Sequence, residues 1–195
     1  MKRELMILVA SLLLVSAQAQ DFQVRHEIAV SYGAAPITMW GNAFSDIAHS
    51  LVGTTYDNDV HIGPISAEYF YHLDEVPRLG VGGSFTYVNH AQDIIVSGSK
   101  TGDRTRSYLT LMPMVKYNYV DTRNFGMYLK GGVGLTLGFD KENLDGKPTD
   151  SETKARFNFQ LTLLGLEAGS QHLRGYVELG VGEQGVMLAG VRYRF

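Results

Sequence analysis

Between Phe125 and Phe139 the chain reads FGMYLKGGVGLTLGF, and its two alternating sets of residues differ sharply. Phe125, Met127, Leu129, Gly131, Val133, Leu135, Leu137 and Phe139 are apolar throughout, with a ring at each end. Gly126, Tyr128, Lys130, Gly132, Gly134, Thr136 and Gly138 are small or polar, with one charge. Successive side chains of a strand point to opposite faces, so this stretch has one fatty face and one polar face. A half-buried strand of a soluble sheet alternates too. It rarely keeps its fatty face over the whole of a long strand with aromatic rings closing both ends. A strand that crosses a bilayer needs about 9–11 residues and places aromatics at both interfaces. The stretch predicts a membrane-spanning strand.

Seven further segments carry the same period of two. Phe22, Val24, Ile28, Val30 and Tyr32 share a face in the first, over Phe22 to Tyr32. Ile65, Ala67, Tyr69, Tyr71 and Leu73 do so in the second, about Gly63 to Leu73, and Leu79, Val81, Phe85 and Tyr87 in the third, Leu79 to Val88. The fourth, Ser107 to Val120, sets Leu109, Leu111, Pro113, Val115, Tyr117 and Tyr119 against Thr110, Met112, Met114, Lys116 and Asn118. Pro113 lacks a ladder donor, which predicts a bulge there. The opening stretch is the fifth. The sixth, Arg156 to Ala168, starts cleanly with Phe157, Phe159, Leu161 and Leu163, then loses phase through Leu164-Gly165-Leu166-Glu167, where a second bulge is expected. Tyr176 to Gly182 and Val186 to Phe195 complete the set. Eight such strands predict an all-β, closed, antiparallel up-and-down transmembrane barrel. Backbone groups in hydrocarbon are satisfied only by closure, so the first strand should pair with the eighth.

Composition agrees with that class. Charged residues make up 19% of the chain and the mean hydropathy is −0.06, neither helical-membrane nor disordered in character. The net charge of −3 comes without a basic patch, so no nucleic-acid partner is expected. Cysteine is absent, which excludes disulfide scaffolds, thiolate metal sites and cysteine nucleophiles.

Lys2 and Arg3 precede an apolar run from Leu5 to Val15, and Ala17-Gln18-Ala19 supplies a small-residue cleavage site. This reads as a secretory signal peptide over residues 1–19, with the barrel domain over 20–195. The connections then orient the barrel. Those after strands two, four and six are short, and those after one, three and five (about Ala34 to Ile62, Asn89 to Arg106 and Asp140 to Lys154) are long and polar. Outer-membrane barrels put short turns in the periplasm and long loops outside, so both mature ends should face the periplasm.

Depth along each strand places Glu27, Glu68, Lys116, Lys130, Glu178 and Arg192 in one inward-facing layer. Neighbouring strands are expected to bring Lys116 towards Lys130, Glu178 towards Arg192 and Arg192 towards Glu27. An eight-strand barrel is just wide enough inside for side chains to fill, so the layer predicts a salt-bridged plug with no wide channel. A gated ion path is the alternative.

The chain closes on Gly190-Val191-Arg192-Tyr193-Arg194-Phe195, and strand four carries Met112-Pro113. With the export signal and strand pattern, these features resemble the bacterial outer-membrane β-barrel domain family, akin to the small OmpA/OmpX-type barrels of Gram-negative cells. The resemblance implies contact with outer-membrane lipid and lipopolysaccharide, and assembly by the barrel-assembly machinery reading Tyr193 and Phe195. It implies no reaction.

In the first long loop, Ile37, Trp40, Phe44, Ile47 and Leu51 recur at spacings of three and four behind Pro36. That predicts a short amphipathic helix resting on the rim or the outer leaflet. No nucleophile–base pair emerges around the six histidines, and the acidic loop clusters lack calcium-loop spacing, so neither an enzyme nor a cofactor or metal is expected. The expected role is structural or surface-interacting, towards an extracellular ligand that the residues do not specify. Rivals are a narrow channel, a lipid-modifying enzyme and a soluble lipocalin-like barrel, the last requiring an apolar inside.

Overall fold

A computed structural model describes residues 25–37, 54–96, 99–144 and 147–195. Eight strands follow in order: β1 His26–Ala34, β2 Thr54–His72, β3 Leu79–Val96, β4 Ser99–Asp121, β5 Phe125–Leu144, β6 Lys147–Gly169, β7 Leu173–Gly182 and β8 Met187–Arg194. Each pairs antiparallel with the next, and β1 pairs with β8 from Glu27↔Arg194 to Ala34↔Met187, which closes the barrel.

Facing follows the period of two. Leu129, Val133 and Leu137 are 46%, 52% and 43% exposed, while Lys130 and Glu178 are fully buried. Phe157, Leu163 and Leu111 are the most exposed large apolar residues. The inside is polar, so an apolar-cored soluble barrel is excluded by the direction of the side chains. An apolar exterior of this extent costs free energy in water and suits hydrocarbon.

The structure corrects the sequence reading of the connections. The segments Asn89 to Arg106 and Asp140 to Lys154 are continuations of the ladder: β3 stays paired with β4 up to Val96↔Ser99, and β5 with β6 up to Leu144↔Lys147. The hydrogen-bond ladder continues through them without the apolar face that the earlier parts of these strands carry. Part of the first long connection, from Thr54 onward, is likewise strand. β1 stops at Ala34 and β7 at Gly182, where it pairs with Gln160. The extended parts of β2 to β6 therefore form a wall rising beyond β1, β7 and β8. On β6 it adds residues 147–159, roughly 40 Å of strand.

The bulges also move. Register runs unbroken past Pro113, which sits opposite Gly83 with its side chain outward. On the β5 side Leu111↔Leu135 and Met114↔Gly132 keep the same offset. The β6 irregularity lies between Thr162 and Leu164, just before the expected position, and another falls between Asn118 and Val120 on β4.

Candidate functional site

The interior is built from strand faces that sequence parity directs inward. Glu27, Glu68, Lys116, Lys130, Glu178 and Arg192 are all buried within it. Lys116 and Lys130 lie side by side in register on β4 and β5. Their partners come from elsewhere: Lys116 Nζ lies 2.7 Å from Glu27 Oε2, and Lys130 Nζ lies 2.5 Å from Glu68 Oε1 and 2.8 Å from Glu178 Oε2. β4 is not a ladder neighbour of β1, nor β5 of β2, so the Lys116–Glu27 and Lys130–Glu68 pairs span the lumen. Glu178 is opposite Leu188 rather than Arg192 in register, and Arg192 is opposite Ala29 and Arg174. Arg192 is nonetheless the hub. Its guanidinium bonds Glu167, and lies 3.4 Å from Glu27, 3.7 Å from Glu68 and 3.9 Å from Glu178.

Three strong participants were not in the predicted layer. Glu167 faces inward because the β6 irregularity shifts the phase after Thr162. It pairs with Arg174 at 2.6 Å and with Lys116 at 3.5 Å. Arg194 grips Asp121 through two bonds of 3.0 and 2.6 Å and reaches Glu27 at 3.2 Å. Arg174 reaches the same Asp121 at 3.1 Å. The signal that could have found Glu167 was the phase loss itself, carried one step further to ask which later residues it turns inward. Arg194 had inward parity and lay only at the strand's end.

Aromatic rings hold the cations in place. The Arg192 guanidinium sits between the Tyr128 and Tyr176 rings, 4.7 and 4.5 Å from their centroids, and Lys116 Nζ lies 4.3 Å from the Tyr128 centroid. Such contacts favour a desolvated cation. Tyr128 also donates its hydroxyl to Glu178 at 2.7 Å, as does Thr162 at 2.8 Å. Tyr128 fits because Gly165 faces it: a Cβ there would lie 2.4 Å from the ring.

The β7–β8 turn completes the lumen from the other end. Glu183 and Gln184 are fully buried. Gln184 donates to Glu68 at 2.7 Å, and its backbone N–H donates to Gln160 Oε1 at 2.8 Å. Asn158 donates to Glu183 at 2.7 Å. Positive φ at Gly182 (143°) and Gly185 (112°) lets the backbone fold inward here, a conformation that L side chains disfavour. In the sequence the three-residue connection Glu183-Gln184-Gly185 reads only as a tight turn.

Beyond Phe139, where the outward apolar residues of β5 end, Asp140 meets Arg104 through two bonds and Arg106 at 3.7 Å. Partial burial acts to raise the Asp140 carboxyl, but the Arg104 hydrogen bond and the charges of Arg104 and Arg106 outweigh it and hold it below its usual range. Of the predicted outer-loop helix, Ile37 is half-buried after a buried Pro36, while Trp40, Phe44, Ile47 and Leu51 lie outside the described residues. At the opposite rim the Phe195 ring stacks on His26 at 5.3 Å and meets Tyr193 at 5.7 Å. Backbone bonds of 2.9 and 2.8 Å join Phe195 to His26 in both directions. Among the described residues no group of three or more histidine or carboxylate side chains could hold a metal ion.

No curated protein matches this chain by sequence. Among solved structures it resembles the attachment invasion locus protein Ail of Yersinia pestis, at 15% identity and a TM-score of 0.50, with 89% of this chain and 100% of that chain covered. Ail in complex with the heparin analogue sucrose octasulfate is similar at 14% identity and a TM-score of 0.52, with the same coverage. At such identity the likeness supports the fold alone. The model of the outer membrane protein beta-barrel domain matches residues 5–171. With its closed ladder and apolar exterior, the chain belongs to the outer membrane protein β-barrel domain family.

Proposed function

We propose that this is a non-conducting outer-membrane barrel whose extended outer wall contacts ligands at the cell surface. The observation that carries the reading is the continuation of β2 to β6 beyond β1, β7 and β8. A stiff, hydrogen-bonded wall costs less to order on binding than a floppy loop, which makes it a better platform for recognition. Its free margins are not built for adding a strand. β2 is interrupted between Asp57 and Val60, and β6 carries Pro148, Lys154 and Arg156, devices that discourage edge pairing. Contact is therefore assigned to the wall's faces and hairpin tips.

The lumen serves as the scaffold's core. Cross-lumen ion pairs and the inward β7–β8 turn fill the space that a channel would need. We further assign residues 1–19 to a removed signal peptide, both ends of the mature chain to the periplasm, and Tyr193 and Phe195 to recognition by the assembly machinery. The exterior band contacts lipid and lipopolysaccharide, and no catalytic or cofactor role is assigned.

Because Ail was solved with a heparin analogue, immobilised heparin is a suitable first probe. Cells displaying the intact protein should adhere to heparin-coated surfaces. A variant with residues 92–104 and 141–153 replaced by tight turns should still insert as a heat-modifiable barrel but no longer adhere. Equal adhesion by the trimmed barrel would overturn the role given to the wall.

A further inference from the structure

β1 pairs with β2 no further than Tyr32↔Ile65, and Ile65 pairs with Tyr87 on β3. Val88, His90 and Gln92 on β3, and Tyr108 and Arg106 on β4, come next along the wall and have inward parity. Nothing from β1, β7 or β8 rises to face them, so this part of the wall should be open on its inner side. It is not. All five residues are nine-tenths or more buried, from 1% exposed at Val88 to 8% at Gln92. On the opposite face Asn89, Ala91, Thr105 and Ser107 are only half-buried. The inward face of β5 and β6 differs again, with Asp140 half-buried and Lys154 and Arg156 exposed. The cover is confined to the part of the inner face nearest β2.

The β1–β2 connector has the ends, the length and the composition to supply that cover. It leaves β1 through Ala35, whose φ of 54° is left-handed and turns the chain sharply. Pro36 is then buried, and Ile37 is half-buried and helical. The chain rejoins the wall at Thr54, opposite Val96 near the β3–β4 tip. From the level of Pro64, against which Gly33 of β1 packs, up to Thr54 is about 30 Å of strand. Residues 38–53 reach about 24 Å as a helix, so with short extended ends they must climb the wall directly. Ile37, Trp40, Phe44, Ile47 and Leu51 form one apolar stripe at helical spacing, and Val88 and Tyr108 offer surface for it. We propose that the inner face of the wall over β2 to β4 is the docking site of residues 38–53, with this stripe turned onto Val88 and Tyr108. The placement stands on geometry and does not depend on what the wall binds. It leaves the outer face, the tips and the β5–β6 part of the inner face, where Lys154 and Arg156 are exposed, for a ligand.

The chain has no cysteine, so one introduced thiol is a unique probe. In the full barrel in lipid nanodiscs, Gln92→Cys should react slowly with a maleimide. Replacing residues 38–53 by a glycine–serine segment of equal length should speed that reaction about tenfold. Ala91→Cys, on the opposite face, should react alike in both backgrounds. Trp40, the one tryptophan, should resist quenching by brominated phospholipid in the otherwise unaltered barrel. If the replaced segment prevents insertion, Trp40→Ser combined with Phe44→Ser takes its place and should speed the Gln92→Cys reaction several-fold. Equal rates at position 92 with and without the apolar stripe, or strong quenching of Trp40 by the lipid, overturn the docking. Either result leaves the heparin test of the wall unaffected.

Discussion

Lys130 on β5 and Glu68 on β2 meet at 2.5 Å although their strands are not neighbours, so the bond crosses the lumen and braces opposite walls. Both side chains are fully buried. Removing one partner of a buried pair leaves the other charge uncompensated, at a typical cost of about 3–5 kcal/mol. Lys130→Met should lower the unfolding free energy of the detergent-refolded barrel by about that much in urea titration. A loss below about 1 kcal/mol, the scale of an exposed pair, would deny the pair its bracing role.

Gly165 makes room for Tyr128. A Cβ at that position would sit 2.4 Å from the ring, and the ring is held by Arg192, Lys116 and Glu178. Gly165→Ala should therefore destabilise by about 1–3 kcal/mol through overpacking. The same swap at Gly175, where the nearest atom is 4.0 Å away, should be close to neutral. Paired thermal scans of the two variants check this, and equal melting temperatures would contradict it.

Much of this architecture is legible in the sequence. Parity along Phe125–Phe139 separates lipid-facing Leu129 and Val133 from buried Lys130, and the other strands follow the same arithmetic. Three kinds of fact escaped. Parity names the face but not the partner: Lys116 and Lys130 are adjacent by register, and only the closed geometry brings Glu27 and Glu68 to them from the far wall. The polar extensions escaped because their residues lack the hydrophobic alternation of the earlier strand parts, while the hydrogen-bond ladder persists. A single irregularity before Leu164 turned Glu167 inward, and a one-residue slip reverses every later side chain.

Asp140 should make the β4–β5 ladder acid-sensitive. Its carboxyl is held below the usual range, so its contribution is complete above the ordinary aspartate range near about pH 4 and fades as pH falls through the lower folded value. Amide exchange in the β4–β5 ladder near Arg106↔Asp140 should quicken on acidification in the wild type. In Asp140→Asn it should already be quick at neutral pH and change little. Identical profiles would show that the Arg104 contact contributes nothing.

Gly33 lies under the inward turn, and a Cβ there would be 2.0 Å from the Gln184 carbonyl oxygen. Gly33→Ala must shift the turn, so the Gln184 amide, which now donates to Gln160, should lose protection. The barrel should still insert. An unchanged Gln184 amide would mean that the turn has more room than its contacts imply.

The proposed closed lumen rests most heavily on Arg192, which lies within 4 Å of four glutamates, and on the buried Glu183 and Gln184 of the β7–β8 turn. Single-barrel recording in a planar bilayer addresses it directly. The predicted trace is flat, with no steady conductance for the wild type at moderate voltage in neutral salt. A stable, large conductance from correctly folded barrels would contradict the closed interior and the non-conducting role built on it.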